Sequence, residues 1–472
     1  MTSFHPGLIL IFGGILAGIL PGRLRQLTMV LAPALALFSL FNLEINTIWS
    51  LPFINNLDLI VLKVDKLSWG FALIFCIMAI LGNIYALHSK NRVEITAGLM
   101  YAGSSLGAVF AGDWVTLIFF WELMAVTSVF LIWCNGTAQS RAAGFRYILV
   151  HMFGGNLLLA GIFLKVSAGQ TEIMSLTGTG DAAFWLILLG VAINSAIPPL
   201  HAWLADAYPE ATLAGTVFMN CFTTKVAVYA LIRIFPGAEL LIWAGVFMAL
   251  YGAMFAIIEN DVRRLLSYHI VSQVGFMVAG VGMGTDLALN GAAAHAFSNI
   301  FNKSLLFMGA GAVIYATGLR KLTQLGGLWR KMPWVTIFFA IGALSIAGAP
   351  LFVGFNTKSL LLSAASYGGW PAVDLLLYLA GIGTFLSIAL KLFWFMFFGE
   401  DRALEPVQIP TNMYVAMGGL GFLCIMYGVV PNALYNYLPY AMDYAPYTID
   451  HVVSTIQLLA GALIVFWVFI PK

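Results

Sequence analysis

About fifteen stretches of this chain are apolar for the ~20 residues that a helix needs to cross a bilayer, and only short polar connections separate them. So many crossings leave little chain for anything else. Of the 472 residues, 61% are hydrophobic and 9% are charged, whereas a soluble globular domain carries about 25% charged residues. So few charges cannot cover a water-facing surface, and the lipid bilayer must be the solvent for most of the chain. The expected fold class is an all-α polytopic membrane protein with about 14–15 transmembrane helices. The first apolar stretch lacks a basic leader and a small-residue cleavage site, so it reads as a retained helix.

Basic residues fall on every second connection: Arg23 and Arg25, Lys90 and Arg92, Arg141 and Arg146, Arg263 and Arg264, then Arg320 to Lys331. By the positive-inside rule these ends face the cytoplasm and the N-terminus faces outward. The 22 basic and 20 acidic residues nearly cancel, so nothing points to nucleic acid. The four cysteines are scattered through apolar runs without metal-ligand spacing, and no cofactor or nucleotide motif stands out. No metal, cofactor or catalytic chemistry is therefore expected in this chain.

Two predicted helices run into similar interruptions. One reaches Ile197-Pro198-Pro199-Leu200-His201. The other reaches Ala349-Pro350 and then Gly354-Phe355-Asn356-Thr357-Lys358. Proline removes an amide donor and clashes with the preceding turn, so Pro198, Pro199, Pro350 and Gly354 are expected helix breaks. The matching positions suggest a duplication: N-terminal helices over 1–94, a five-helix repeat over 95–235, a second over 240–398, and C-terminal helices over 399–472. An odd number of helices turns the second copy upside down, an arrangement used by many ion transporters.

The most informative residues are those that ought not to lie in lipid. A charge at the bilayer centre costs about 2.5–3.5 kcal/mol on insertion scales. Glu122, Lys225, Lys303 and Lys358 nonetheless sit inside apolar segments, with Lys391 nearer a helix end, where reaching the interface is an equal alternative. His295, Asn299 and Lys303 are spaced i, i+4, i+8 and form one stripe on a helix. Desolvation loosens a lysine's proton and a neighbouring carboxylate holds it, so Glu122, Lys225, His295, Lys303, Lys358 and Lys391 together read as a proton pathway. The competing reading is a polar network that glues helices together. Asp113, Asp206 and Glu210 lie near helix ends and read as interfacial residues rather than ion ligands.

At these residues the chain resembles the antiporter-like subunits shared by respiratory complex I, membrane-bound hydrogenases and Mrp-type sodium/proton antiporters. The similar stretches are Gly112-Asp113-Trp114 through Glu122-Leu123, Pro199 through Ala207 with Glu210-Ala211, Lys225 with Tyr229 and Arg233, Asp261 through Tyr268, His295 through Phe307, and Gly354-Phe355 to Lys358. The resemblance implies two inverted five-helix repeats, each with a broken helix. It implies an input glutamate at Glu122, a connecting lysine at Lys225, a central pair at His295 and Lys303, and an exit lysine at Lys358. It further implies other membrane subunits as partners and a bacterial or archaeal cytoplasmic membrane.

Two positions depart from that pattern. The family usually has a lysine where this chain has Asn194, and often a histidine where it has Asn299. Asparagine carries neither charge nor proton, so the first half-channel is altered. The short chain is most similar to the D-type Mrp subunit. Three functions remain open: sodium or potassium exchange for protons, the pumping arm of a redox-driven complex, and a non-conducting scaffold of an ion or inorganic-carbon uptake system.

Overall fold

The computed structural model describes residues 4–54 and 58–469. Every predicted apolar segment contains a helix within those residues. Twelve helices among them are long and apolar enough to span a membrane, and Pro6–Ile19, Ala182–Asn194 and Pro333–Ala347 are shorter apolar helices. The last two are short because each predicted segment ran on through an interruption.

The structure adds one element that an all-α expectation missed. Ile48–Pro52 and Asp58–Lys63 pair as an antiparallel hairpin. Residues 45–66 fall between two spans, and Asp58-Leu59-Ile60-Val61-Leu62 is rich in β-branched and leucine residues too few for a crossing.

The chain divides into two compact units, Met1–Ala238 with Tyr437–Pro439, and Glu239–Asn436 with Tyr440–Lys472. Within the first unit the helices run Arg92–Phe110, Trp114–Trp133, Ala138–Ser167, Ala182–Asn194 before an interruption, and Leu213–Cys221 continued by Thr223–Ile234. Within the second they run Leu240–Ile258, Val262–Met283, Asp286–Thr317, Pro333–Ala347 before an interruption, and Val353–Tyr367 followed by Pro371–Thr384. In both series the third helix is the long one, with 30 and 32 residues.

The same device starts the second helix of each series. The Asp113 carboxylate accepts from Val115 and Thr116 backbone N–H groups, and Asp261 accepts from Arg263 and Arg264. An aspartate in this place satisfies helix donors that have no partner of their own. Beside each cap, the chain leaving the long third helix pairs with the backbone: Trp114 N with Thr171 O and Ile173 N with Gly112 O in one unit, Val262 N with Arg320 O and Leu322 N with Asn260 O in the other. Asp113 also accepts from the Ile60 backbone of the hairpin, and Asp206 forms a two-pronged pair with Arg146 at 2.8 Å. Both carboxylates therefore have local structural partners.

The interruptions have separate causes. Residues 195–201 leave the helix after Asn194 and contain Pro198 and Pro199, with Ala196 at a left-handed φ of 56°. In the second unit the turn is made by Gly348 at φ 86° and Leu351 at φ 73°, either side of Ala349-Pro350. Gly354, expected as a breaker, is instead helical in the first turn of Val353–Tyr367. A β-carbon there would lie 1.8 Å from the Ser345 carbonyl oxygen. Its role is to let the two half-helices approach, not to end one.

Candidate proton-carrying site

In the second unit, Val262–Met283, Asp286–Thr317 and Val353–Tyr367 present polar side chains to one another in an otherwise apolar interior. His295, Asn299 and Lys303 follow the predicted stripe and are each at most 1% exposed. His295 Nδ1 lies 3.1 Å from Thr357 Oγ1, and its Nε2 lies 3.2 Å from Gln273 Oε1. Ser298 shares the Thr357 hydroxyl at 2.8 Å, and Gln273 continues to Thr384 at 3.2 Å. Lys303 Nζ donates to the Leu266 carbonyl at 3.0 Å.

Lys358, next to Thr357, donates to the Ile346 carbonyl at 2.6 Å. That carbonyl is available because the helix ends at Ala347, so its oxygen lacks the usual partner one turn on. The break thus supplies the lysine's acceptor. A cavity of about 50 Å³ opens beside Lys358, room for a few water molecules. The side-chain amides of Asn299 and Asn302 have no partner among the described protein groups. Interior polar groups of this kind are normally satisfied by ordered water.

In the first unit, Lys225 is fully buried and donates to Asn220 O at 2.7 Å. The helix is interrupted at Phe222, and the Tyr101 hydroxyl meets the Thr223 N–H and hydroxyl there. Glu122 packs against the backbone of the long helix: a β-carbon on Gly155 would lie 1.7 Å from Glu122 Oε1. Its Oε2 is buried without a partner among the described protein groups. Asn194, where the family's lysine was expected, binds His151 instead, with Oδ1 2.9 Å from Nδ1.

His151 and His269 are buried titratable groups that carry no obligatory charge to set them apart in the sequence. His151 is 1% exposed and held between Tyr147 and Trp203, with ring centroids 4.1 and 4.5 Å away. His269 meets Ser387 at 3.0 Å. A signal was present: Tyr147, His151 and Gly155 repeat the i, i+4, i+8 spacing of the His295 stripe.

Lys391 lies apart from this set. It donates at 2.5 Å to both Ile257 O, in the last turn of Leu240–Ile258, and Glu259 O, just beyond that helix. It sits in a π-helical stretch, Phe385–Leu392, entered where Thr384 and Ser387 hydroxyls bond to carbonyls one turn back. Arg233, part of the family-like stretch, pairs with Asp65 at 2.7 Å and covers the Tyr229 ring.

The chain as a whole is similar to known proteins. The family described as NADH:quinone oxidoreductase/Mrp antiporter, TM matches residues 111–387. The chain belongs to that family. The D subunit of the Na(+)/H(+) antiporter of Alkalihalophilus pseudofirmus is 32% identical over 63% of this chain and 64% of its own length. The M subunit of the NADH-quinone oxidoreductase of Pseudomonas aeruginosa is 27% identical over 79% of each chain. A chain in the structure of the Mrp complex from Dietzia sp. DQ12-45-1b is 25% identical, with a TM-score of 0.85, over 98% of this chain and 55% of that one. This chain thus spans little more than half of that structural relative. Its relatives in the family are subunits of multisubunit membrane complexes, and it is itself an integral membrane protein.

Proposed function

We propose that this chain carries protons across a bacterial or archaeal cytoplasmic membrane as an antiporter-like subunit of a larger complex, in exchange for sodium or potassium. The observation that carries the reading is the buried set His295, Thr357, Lys358 and Lys303 within one unit. An isolated lysine in an apolar interior is a heavy cost for packing alone. Here two lysines donate to backbone carbonyls, beside hydroxyls, a histidine and a cavity. Such groups can hold a proton in turn while hydroxyls and water hand it on. The two matching helix series support a duplicated five-helix unit, with the second copy as the conducting one. In the first, Asn194 supplies no charge to Glu122.

A redox-driven arm is the second reading, favoured by the similarity to a quinone oxidoreductase chain. The two are separated by purified complex in liposomes carrying an internal pH dye. Exchange predicts that a sodium or potassium gradient moves protons with no electron donor present. Movement only on adding an electron donor would overturn exchange in favour of the redox arm. No flux under either condition would return the scaffold reading.

A further inference from the structure

The cavity beside Lys358 is closed on one side by a helix outside the proton-carrying set. Ile449–Phe469 is an apolar helix whose surface is largely exposed to the surroundings, as a lipid-facing helix would be. Its first turn carries His451, which turns inward. The cavity wall includes Lys358, Ser359, Ser363, Tyr378, His451 and Thr455. Ser359 and Ser363 stand one turn apart on the helix that bears Lys358, on the side leading toward His451.

The hydrogen bonds orient the ring. His451 Nδ1 lies 3.2 Å from the Pro446 carbonyl oxygen, and Nε2 lies 3.3 Å from Ser363 Oγ. A carbonyl only accepts, so Nδ1 carries the hydrogen and Nε2 offers its lone pair to the serine hydroxyl. Tyr444 OH meets the same serine at 3.0 Å. The basic nitrogen therefore faces the lysine's cavity. The ring is only partly buried and sits at the end of its helix, where a membrane helix meets water.

We propose that His451 is the outlet group of the second unit, relaying protons between Lys358 and the aqueous face. The inference rests on the proton-carrying reading of Lys358. A proton leaves the Lys358 ammonium as the amine forms and crosses cavity water and the Ser363 hydroxyl. It joins His451 Nε2; the imidazolium then turns that nitrogen out of the cavity and gives the same proton to bulk water, which restores the starting tautomer as the ring swings back. His451 lies outside residues 111–387, so the family match assigns it nothing.

The test uses the intact complex in liposomes with an internal pH dye, comparing wild type, His451→Gln, His451→Ala and Lys358→Ala. Glutamine keeps an amide for Ser363 and preserves assembly, so that variant decides the case if alanine does not assemble. Both His451 variants are expected to lose at least tenfold in flux with subunit composition unchanged, and external imidazole is expected to recover at least threefold in His451→Ala. Flux within twofold of wild type in His451→Gln, with Lys358→Ala inactive, overturns the outlet and leaves the proton-carrying reading standing. A loss in His451→Ala that imidazole does not relieve also overturns it, since that marks a structural role. Unchanged flux in Lys358→Ala overturns both.

Discussion

At the scale of single residues, the two units put similar chemistry into unlike states. Lys358 and Lys303 each donate to a backbone carbonyl, and a cavity opens beside Lys358. Glu122 instead has a buried oxygen without a partner among the described protein groups, and Asn194 is engaged by His151. Glu122→Gln is therefore expected to keep flux within about threefold of wild type, measured by dye quenching on the assembled complex. Complete loss would show that the first unit conducts. The charged positions were legible in the sequence because a lysine or glutamate in an apolar run is costly enough to demand a reason. His151 and His269 do not stand out in that way, since a neutral histidine is a far milder intrusion. Their partners, Asn194 and Ser387, lie 43 and 118 residues away, beyond any local pattern.

At the scale of elements, the broken helices matter through what the breaks release and admit. The end at Ala347 frees the Ile346 carbonyl for Lys358, and Gly354 lets the second half-helix lie against Ser345. Gly354→Ala places a methyl where a backbone oxygen already sits. Overpacking of a rigid contact costs about 1–3 kcal/mol or more, so the variant is expected to lower the melting temperature of the purified complex and its yield. A neutral result would mean that the half-helices can separate freely. Lys391 belongs to the same scale. Lys391→Met removes the donor for two helix-end carbonyls, a loss of about 1–3 kcal/mol, and is expected to reduce thermal stability while flux persists. Loss of flux at unchanged stability would put Lys391 on the proton path. Proline spacing made the interruptions legible, but not the turn itself. That depends on positive φ at Gly348 and Leu351, and the break at Phe222 has no proline to announce it.

At the scale of the whole molecule, scarcity of charge and repeated apolar runs sufficed for the membrane architecture, because the bilayer admits few backbone solutions. The hairpin escaped, being too short and too close to polar residues to register among twenty-residue crossings. Partners were legible only through family resemblance. Mass spectrometry of the tagged protein in mild detergent is expected to recover small membrane subunits without redox proteins. Recovery of iron–sulfur subunits would favour the redox-driven arm.

The claim on which the rest depends is that protons cross through the second unit by way of Lys358. The most direct measurement is proton flux in liposomes holding the assembled complex, wild type against Lys358→Ala, driven by a sodium or potassium gradient and read by an internal pH dye. Flux is expected in the wild type and at least a tenfold loss in the variant, with the same subunits present in both. Equal flux in the two would contradict it.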